Sequence, residues 1–319
     1  MIWTNAVRLW SAAAFFGWTA LLTGFVGLVS AATQMPAPKA PLLTAGEVAP
    51  AKREFRVFDA TLYQRKPDLS VSGVRPLHIA YEPRLFTDSA RATRALDAMP
   101  TDGLMRAQAE AARTSRSEYL VIDIESWSIY NSTNYPREAA TSIARFTQVI
   151  EQARRIAPEL KLGLFSPLPV NSGYDRLVAP QGSAADREMR HDNDNLLSLA
   201  ARVDAIFPIG YTMTDDRQEW RFVVAKQVAE ARRLNPDVPI YLFLWARYVD
   251  YGPIRAELKL RWIEREYWRY QLQAAYELAD GIVLWGGWDP QHNRPQQWDA
   301  AAPWWAETAD FLREKRISQ

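Results

Sequence analysis

Short β-like runs alternate with helical stretches from about Glu54 onward, and this alternation restricts the possible folds more than any other feature. Runs rich in aliphatic, β-branched and aromatic residues predict seven strands: Phe55–Ala60, Leu77–Tyr81, Tyr119–Ile124, Leu162–Ser166, Ala205–Tyr211, Ile240–Ala246 and Gly281–Trp285. Helical stretches are clearest at Pro136–Ile156, Gln218–Leu234, Glu257–Leu278 and Trp298–Lys315. Strands that alternate with helices pair in parallel through right-handed crossovers.

Two architectures accommodate such parallel strands: a closed barrel and a doubly wound open sheet. The open sheets that bind nucleotides carry a Gly-rich turn after an early strand, and the sequence contains neither this turn nor a Walker-type phosphate loop. We therefore predict an α/β fold, a distorted (β/α) TIM-like barrel with about seven parallel strands. A chain of 319 residues is suitable for one such barrel.

The N-terminus has the pattern of an export segment. Arg8 is the only charge before an apolar stretch from Leu9 to Val29, and small residues follow at positions 30–32. This pattern predicts that residues 1–32 are either a cleaved signal peptide or an uncleaved membrane anchor. Residues 33–52 are rich in Pro and Ala and predict a linker, which leaves 53–319 for the barrel. Either alternative predicts a secreted or periplasmic domain, with membrane contact only through an uncleaved N-terminal segment.

The overall charge gives no reason to expect a nucleic-acid partner, because 38 basic residues balance 37 acidic ones. The chain has no Cys, and its three His residues, His78, His191 and His292, lie far apart without an H-E-x-x-H spacing. We therefore expect no metal site and no cofactor. The sequence leaves the oligomeric state open.

The segment Tyr119–Trp127 (YLVIDIESW) carries two acids at the end of a predicted strand. Side chains alternate between the faces of a strand, so Asp123 and Glu125 share one face, at backbone positions roughly 7 Å apart. Active sites of barrels lie at the carboxyl ends of the strands. Repulsion between the two carboxylates favours keeping one of them protonated, as a general acid requires. Acids at strand ends also cap helices or form salt bridges, so a structural role is the alternative.

Aromatic residues mark three other predicted strand ends. Tyr211, Trp245 and Trp285 lie where flat apolar rings suit sugar binding, and Arg247 shares a face with Trp245. Trp288 follows two glycines after the last predicted strand. Packing in the core is the alternative for each aromatic residue.

Four segments resemble, in the same order, those of the hyaluronidases of glycoside hydrolase family 56: Leu77–Phe86, Tyr119–Trp127, Phe207–Tyr211 and Gly281–Gly286. The second is similar to the D-W-E-x-W segment of that family, with Ile124 in place of the first Trp. The matching residues are Asp123, Glu125, Trp127, Pro208, Tyr211 and Trp285. The resemblance implies a distorted barrel and a polysaccharide substrate.

The resemblance also implies a retaining, substrate-assisted hydrolysis of a glycan that contains N-acetylhexosamine, an exception to the scheme with two catalytic carboxylates. Glu125 is then the acid and base, and the 2-acetamido oxygen of the substrate is the nucleophile. Asp123 and Tyr211 orient that acetamide, and Trp285 covers its methyl group. Trp127, Trp245, Trp288, Arg247 and Tyr130 are expected to contact substrate.

The chain also departs from the family. The disulfides of the family are absent, and Leu162–Pro167 replaces its fourth-strand segment, so a family tyrosine has no secure counterpart. Arg247 is the one candidate for holding an anionic glycan. Two alternatives stay open: a catalytically silent barrel that binds glycan or an envelope protein through its Trp-rich mouth, and a mechanism with two carboxylates.

Overall fold

The structure of the protein is a computed structural model, which describes residues 53–87, 98–127, 129, 136–171, 173–289 and 292–317. The predicted export segment and linker, and the predicted site residue Tyr130, lie outside the described residues. Within the described ranges, no helix is both long enough and apolar enough to span a membrane.

Parallel strands form the centre of the molecule. The strands of the described residues are β1 (Arg56–Thr61), β2 (Val74–Pro76), β3 (His78–Tyr81), β4 (Tyr119–Asp123), β5 (Lys161–Leu164), β6 (Tyr241–Trp245), β7 (Gly281–Gly286), β8 (Trp288–Asp289) and β9 (Arg294–Pro295). One parallel sheet has the order β2-β1-β7-β6, and a second has the order β3-β4-β5. The short strands β8 and β9 pair as an antiparallel hairpin.

The segment 205–211 was predicted as a regular strand, and this prediction is wrong in detail. The segment makes only isolated β-bridges. Phe207 pairs with Phe165, directly after β5, and Ile206 and Ile209 pair with Ile240 and Phe243, directly before and within β6. Pro208 lies in the middle of the segment and has no N–H group to donate to a ladder. The bridges nevertheless place this segment between β5 and β6.

A second connection joins the two sheets on their other side. β2 and β3 are separated by one residue, Leu77, whose N–H donates to the Asp59 carbonyl of β1 at 3.0 Å. The strands therefore follow one another round a barrel, with the regular ladder interrupted at this point and at 205–211. The predicted α/β barrel is confirmed.

Aromatic side chains fill the inside of the barrel. The Tyr119 ring of β4 contacts the rings of Phe58, Phe207 and Tyr241, with centroid distances of 5.8, 5.7 and 5.7 Å. These partners come from three different segments round the barrel, so Tyr119 points inward. The face of β4 that carries Tyr119 and Asp123 is thus the inner face, as the alternation predicts.

Helices cover the strands on the outside. They are α1 (Glu82–Leu85), α2 (Asp102–Thr114), α3 (Pro136–Ile156), α4 (Tyr174–Val178), α5 (Ala184–Asp194), α6 (Leu197–Ala200), α7 (Arg217–Leu234), α8 (Arg265–Leu278) and α9 (Pro303–Glu314). Short 3-10 helices occur at Leu69–Ser72 and Ala256–Leu258.

Two predicted helices begin later than expected. The helix predicted from Glu257 begins at Arg265, because Leu260 has a φ of 60° in the left-handed region and interrupts the helical run. The helix predicted from Trp298 begins at Pro303, a residue suited to the first turn since its missing N–H is not needed there. Both differences lengthen loops at the carboxyl ends of β6 and β7.

Candidate active site

Asp123 is the last residue of β4, and its side chain is buried with 5% exposure. Its neighbour across the ladder is Tyr81, the last residue of β3. The Asp123 Oδ1 atom has no hydrogen-bond partner among the described residues. Buried polar atoms are nearly always paired, so this oxygen is available to a ligand that reaches the end of β4.

Glu125 follows two residues later, and its side chain is exposed at the mouth of the barrel. The backbone N–H groups of Glu125 and Ser126 both donate to Oε2 of Glu82 at 3.0 Å. Glu82 begins α1, directly after β3. The carboxylate of Glu82 thus fixes the turn that carries Glu125.

Asp123 at the end of β4 and Glu125 in the turn after it both have raised pKa values. The surrounding walls of the mouth desolvate Glu125 even though water reaches it, and this desolvation, followed by the charge of Glu82, raises its pKa to about 7. Burial, followed by the charges of Glu125 and Glu82, raises the pKa of Asp123 well above its ordinary value. Since the charge of Glu125 disfavours ionisation of Asp123, the pair retains a proton near neutral pH. A carboxyl group with a pKa near 7 is suited to general acid and base catalysis.

Aromatic side chains surround the acids at the same mouth. The Trp285 ring of β7 lies 5.7 Å from the Tyr211 ring and 5.1 Å from the Trp245 ring, between centroids. Its Nε1 donates to the Tyr81 hydroxyl at 3.0 Å, which brings Trp285 to the residue beside Asp123. The structure therefore brings together five predicted site residues: Asp123, Glu125, Tyr211, Trp245 and Trp285.

The Tyr211 hydroxyl is, like Asp123 Oδ1, a buried polar atom of the site. The Tyr211 side chain is 5% exposed, and its hydroxyl has no hydrogen-bond partner within the described part of the chain. Burial raises the pKa of Tyr211 well above its ordinary value, and the charges of Asp123 and Glu125 contribute in the same direction. A neutral hydroxyl and a carboxyl oxygen thus lie buried near each other, and the described residues give neither of them a hydrogen-bond partner.

Two predicted substrate-binding residues lie elsewhere. Trp127 is 4% exposed and packs between Phe86 and Phe146, with ring centroids at 5.9 and 5.1 Å. This is a core position, so the prediction that Trp127 presents its ring to a substrate is not supported. Trp288 lies in β8 with 6% exposure, and its ring is likewise buried.

Arg247 is also separate from the acids. Its guanidinium lies over the Trp262 ring, with Cζ 3.8 Å from the ring centroid, and donates to the Leu260 carbonyl at 2.6 Å. Arg247 lines a cavity of about 630 Å³ that none of Glu82, Asp123 and Glu125 borders.

Three residues of the site were not predicted: Tyr81, Glu82 and Tyr251. Tyr251 lies in the loop after β6, and burial, followed by the charge of Glu125, raises its pKa. Tyr251 in turn contributes to the raised pKa of Tyr211, after burial. Tyr81 and Glu82 could have been predicted from the sequence, because they stand at the end of a predicted strand, as Asp123 and Glu125 do. Nothing in the sequence around Tyr251 marks it as a site residue.

Comparisons with known proteins agree with the fold. No protein-family profile and no curated protein sequence matches the chain. Bee venom hyaluronidase is similar in structure, with a TM-score of 0.51 and 17% identity over 83% of this chain and 98% of that protein. Its complex with a hyaluronic acid tetramer gives a TM-score of 0.51 and 16% identity over 82% of this chain and 96% of that protein.

At these identities, the likeness concerns the fold alone. It extends over nearly the whole length of the bee enzyme. The chain therefore has the distorted TIM-like barrel that the resemblance predicted, with a cluster of two acids and three aromatic residues at the carboxyl ends of its strands.

Proposed function

We propose that the chain is an exported glycoside hydrolase, distantly related to family 56, that cleaves a glycan containing N-acetylhexosamine. One observation supports this proposal most directly. Asp123 and Tyr211 each place a buried polar atom near Glu125, a carboxyl group with a pKa of about 7, and neither atom has a hydrogen-bond partner among the described residues. Glu125 can then act as the acid, while the Asp123 carboxyl and the Tyr211 hydroxyl hold the 2-acetamido group of the substrate, as substrate-assisted cleavage requires.

In the proposed first step, the protonated Glu125 carboxyl gives its proton to the glycosidic oxygen as the bond to the anomeric carbon breaks. The 2-acetamido oxygen of the substrate attacks that carbon and forms a cyclic oxazolinium. While Glu125 carries the one proton of the pair, Asp123 is ionised and accepts the acetamide N–H, and the Tyr211 hydroxyl donates to the acetamide oxygen. Trp285 covers the acetamide methyl group. These fixed groups stabilise the charge that develops on the acetamide.

In the second step, the Glu125 carboxylate removes a proton from a water molecule that attacks the anomeric carbon. The oxazolinium opens, the acetamide is restored, and the configuration at the anomeric carbon is retained. Glu125 ends the cycle protonated, so one essential acid suffices. This division of labour differs from the general scheme with two catalytic carboxylates.

The test is hydrolysis of a panel of glycans, N-acetylated and fully de-N-acetylated, by the full-length chain. Glu125→Gln is expected to lower kcat by about 10²–10⁴-fold because it removes general acid and base catalysis. The affinity for substrate is expected to persist. Glu188→Gln, a change of an exposed acid on α5, is the matched control and is expected to retain full activity.

Each alternative gives a different result. Turnover that is unchanged in Glu125→Gln contradicts the proposal. Binding of glycan without turnover in the unaltered chain indicates a silent barrel. Hydrolysis of de-N-acetylated glycans, together with equal losses in Asp123→Asn and Glu125→Gln, indicates a mechanism with two carboxylates.

A further inference from the structure

The cavity of about 630 Å³ lies among the loops that follow β1, β6 and β7, beside the start of α9. Three rings of its lining are nearly parallel. The Tyr63 and Trp304 rings lie 5.8 Å apart at 15°, and the Trp304 and Trp262 rings lie 6.5 Å apart at 9°. Trp262 is 42% exposed, which is unusual for so large an apolar ring. These three residues form an aromatic wall that reaches the surface at Trp262.

The polar part of the lining offers hydrogen-bond donors. Gln64 and Gln296 each use the amide oxygen as an acceptor, from Gln297 at 2.5 Å and from Arg247 at 3.5 Å. Their amide NH₂ groups, in contrast, donate to no acceptor among the described residues. Arg294 adds an exposed guanidinium. Such N–H groups are suited to the carbonyl oxygens of an extended chain.

A polyproline II helix has the chemistry that such a lining can bind. It has three residues per turn and no internal hydrogen bonds, so its carbonyl oxygens need outside donors. Proline-rich segments in this conformation dock on grooves lined by aromatic rings, and their stiffness lowers the entropy cost of binding. The cavity holds both parts of such a site: rings against which prolines pack and amide groups that donate to carbonyls.

The chain itself contains a segment of this kind. Residues 36–41 (PAPKAP) lie in the predicted linker, outside the described residues, and include Pro38 and Pro41 in P-x-x-P spacing. In a polyproline II helix these two prolines are one turn apart, about 9 Å, which allows them to contact different rings of the aromatic wall. The cavity borders two aspartates and two arginines, so its charge does not exclude the segment, whose one charged residue is Lys39.

The segment is long enough to reach the cavity. The Arg53 guanidinium donates to the Asp237 and Val238 carbonyls at 2.7 Å each, shortly before β6 and thus at the amino ends of the strands. From Arg53 to Tyr63, the distance is at most roughly 36 Å, the full extension of the chain between them. From Pro36 to Arg53, the chain extends up to roughly 56 Å. The difference allows a path round the outside of the barrel.

We propose that residues 36–41 dock on the aromatic wall of the same chain. Their prolines pack against Trp262 and Tyr63, and the amides of Gln64 and Gln296 donate to their carbonyls. A short tether holds the segment at an effective concentration on the order of 1 mM. Even a weak site, with a Kd of about 0.1 mM, is then about 90% occupied by the segment.

Docking brings the N-terminal part of the chain to the end of the barrel that carries Asp123 and Glu125. Neither acid borders the cavity, so docking does not depend on hydrolysis. A free ligand of the cavity has to displace the segment first, and the segment is therefore an internal competitor for this surface.

The test adds a synthetic peptide of residues 35–43 (MPAPKAPLL) to the full-length chain labelled with ¹⁵N, and follows the tryptophan indole N–H signals. The Trp262 signal is identified by its loss in Trp262→Ala. In the unaltered chain the docked segment competes with the peptide. In the double variant Pro38→Ala and Pro41→Ala the wall is vacant, so we expect the peptide to bind about tenfold more tightly. The Trp262 signal of this variant is also expected to shift before peptide is added.

Matched variants locate the docking. Pro50→Ala changes a linker proline outside the segment and is expected to behave as the unaltered chain does. Added to the double variant, Trp262→Ala is expected to weaken peptide binding at least about tenfold, as loss of a central ring does. Phe222→Ala, a loss of another exposed ring, is expected to have no effect there. Glu125→Gln is expected to leave every result unchanged.

Several results overturn the proposal. Equal peptide affinities of the double variant and the unaltered chain show that the segment does not occupy the wall. Absence of any shift in the indole signals of either chain shows that the wall binds no proline-rich segment. A Trp262 signal that changes on dilution of the unaltered chain shows that the segment comes from a second copy. Because no readout involves hydrolysis, these results stand apart from any failure of the function proposed for Glu125.

Discussion

Glu82 influences Glu125 in two separable ways. Its carboxylate accepts the N–H groups of Glu125 and Ser126, which fixes the turn, and its negative charge contributes to the raised pKa of Glu125. A glutamine at position 82 keeps an oxygen that accepts those bonds but lacks the charge. This substitution therefore separates orientation from electrostatics.

We expect Glu82→Gln to lower the pKa of Glu125 from about 7 towards its ordinary value. Glu125 is active as an acid only while protonated, so the alkaline limb of the kcat/KM profile is expected to move to lower pH. Activity at pH 5 is expected to change little, and activity at pH 7 to fall. The measurement is kcat/KM across pH 4–9, which reports the free enzyme. An alkaline limb that stays in place contradicts the electrostatic role of Glu82, and Glu188→Gln serves as the control.

The sequence predicted those residues of the site that follow from alternation along one strand or from a strand end. Asp123 lies on the inner face of β4, Glu125 lies in the turn directly after it, and Trp285 lies near the end of β7. Glu82 was missed because its role depends on backbone N–H groups 43 residues away in the chain. Trp127 was misplaced because the segment after Asp123 is no longer a strand, so the alternation stops predicting which way its side chain points.

At the scale of elements, the junction between β7 and β8 lies close to the chain that follows β1. Gly287 has a φ of 82°, and a Cβ added there lies 2.6 Å from the Tyr63 backbone nitrogen. Tyr63 also lines the cavity of about 630 Å³ that Arg247 borders. Gly287 thus permits a close approach between two loops at the mouth. A glycine directly after the last predicted strand is typical of such a close approach.

We expect Gly287→Ala to lower the free energy of unfolding by about 1–3 kcal/mol, because the methyl group meets backbone as well as an unfavourable φ. Gly182→Ala is a close control: its φ is 78°, but no heavy atom lies within 4 Å of the added Cβ. The control is expected to lose only the backbone contribution, about 1 kcal/mol. Urea denaturation measures both. Equal losses in the two variants contradict a specific contact between Gly287 and Tyr63.

The elements themselves were predictable to different degrees. α3 occurs at the predicted residues, Pro136–Ile156, because its apolar periodicity is long and Pro136 marks its start. The apolar residues of segment 205–211 predict a regular strand, and they alone do not predict the isolated bridges that the structure has there. Its departure from a regular strand follows from Pro208, whose missing N–H was visible in the sequence.

At the scale of the whole molecule, the buried acid of β4 makes stability depend on pH. The pKa of Asp123 in the folded protein is well above the ordinary value of 3.8 that applies when the chain unfolds. The folded state therefore binds the proton more tightly than the unfolded state does. The stabilisation is fully present below the unfolded pKa and is lost as the pH rises through the folded pKa.

Asp123→Asn removes this dependence, because an amide cannot ionise. We expect the variant to have a higher Tm than the unaltered chain at pH 8, where Asp123 is the most costly to bury, and we expect this gain to diminish towards pH 4. Thermal unfolding followed by circular dichroism at several pH values provides the measurement. Asp175→Asn, at an exposed position of α4, is expected to show no such trend. A gain that does not vary with pH contradicts the assignment.

The hydrogen bond between Trp285 and Tyr81 connects residues 204 positions apart, on strands that belong to different sheets. We therefore expect the reach of these two side chains, and not the spacing of a backbone ladder, to set the width of the opening above the acids. Shorter or longer side chains at these two positions change the aperture while every strand keeps its partners. In such a barrel, the size of substrate admitted can diverge between related proteins by substitution alone, without insertions or a change of topology.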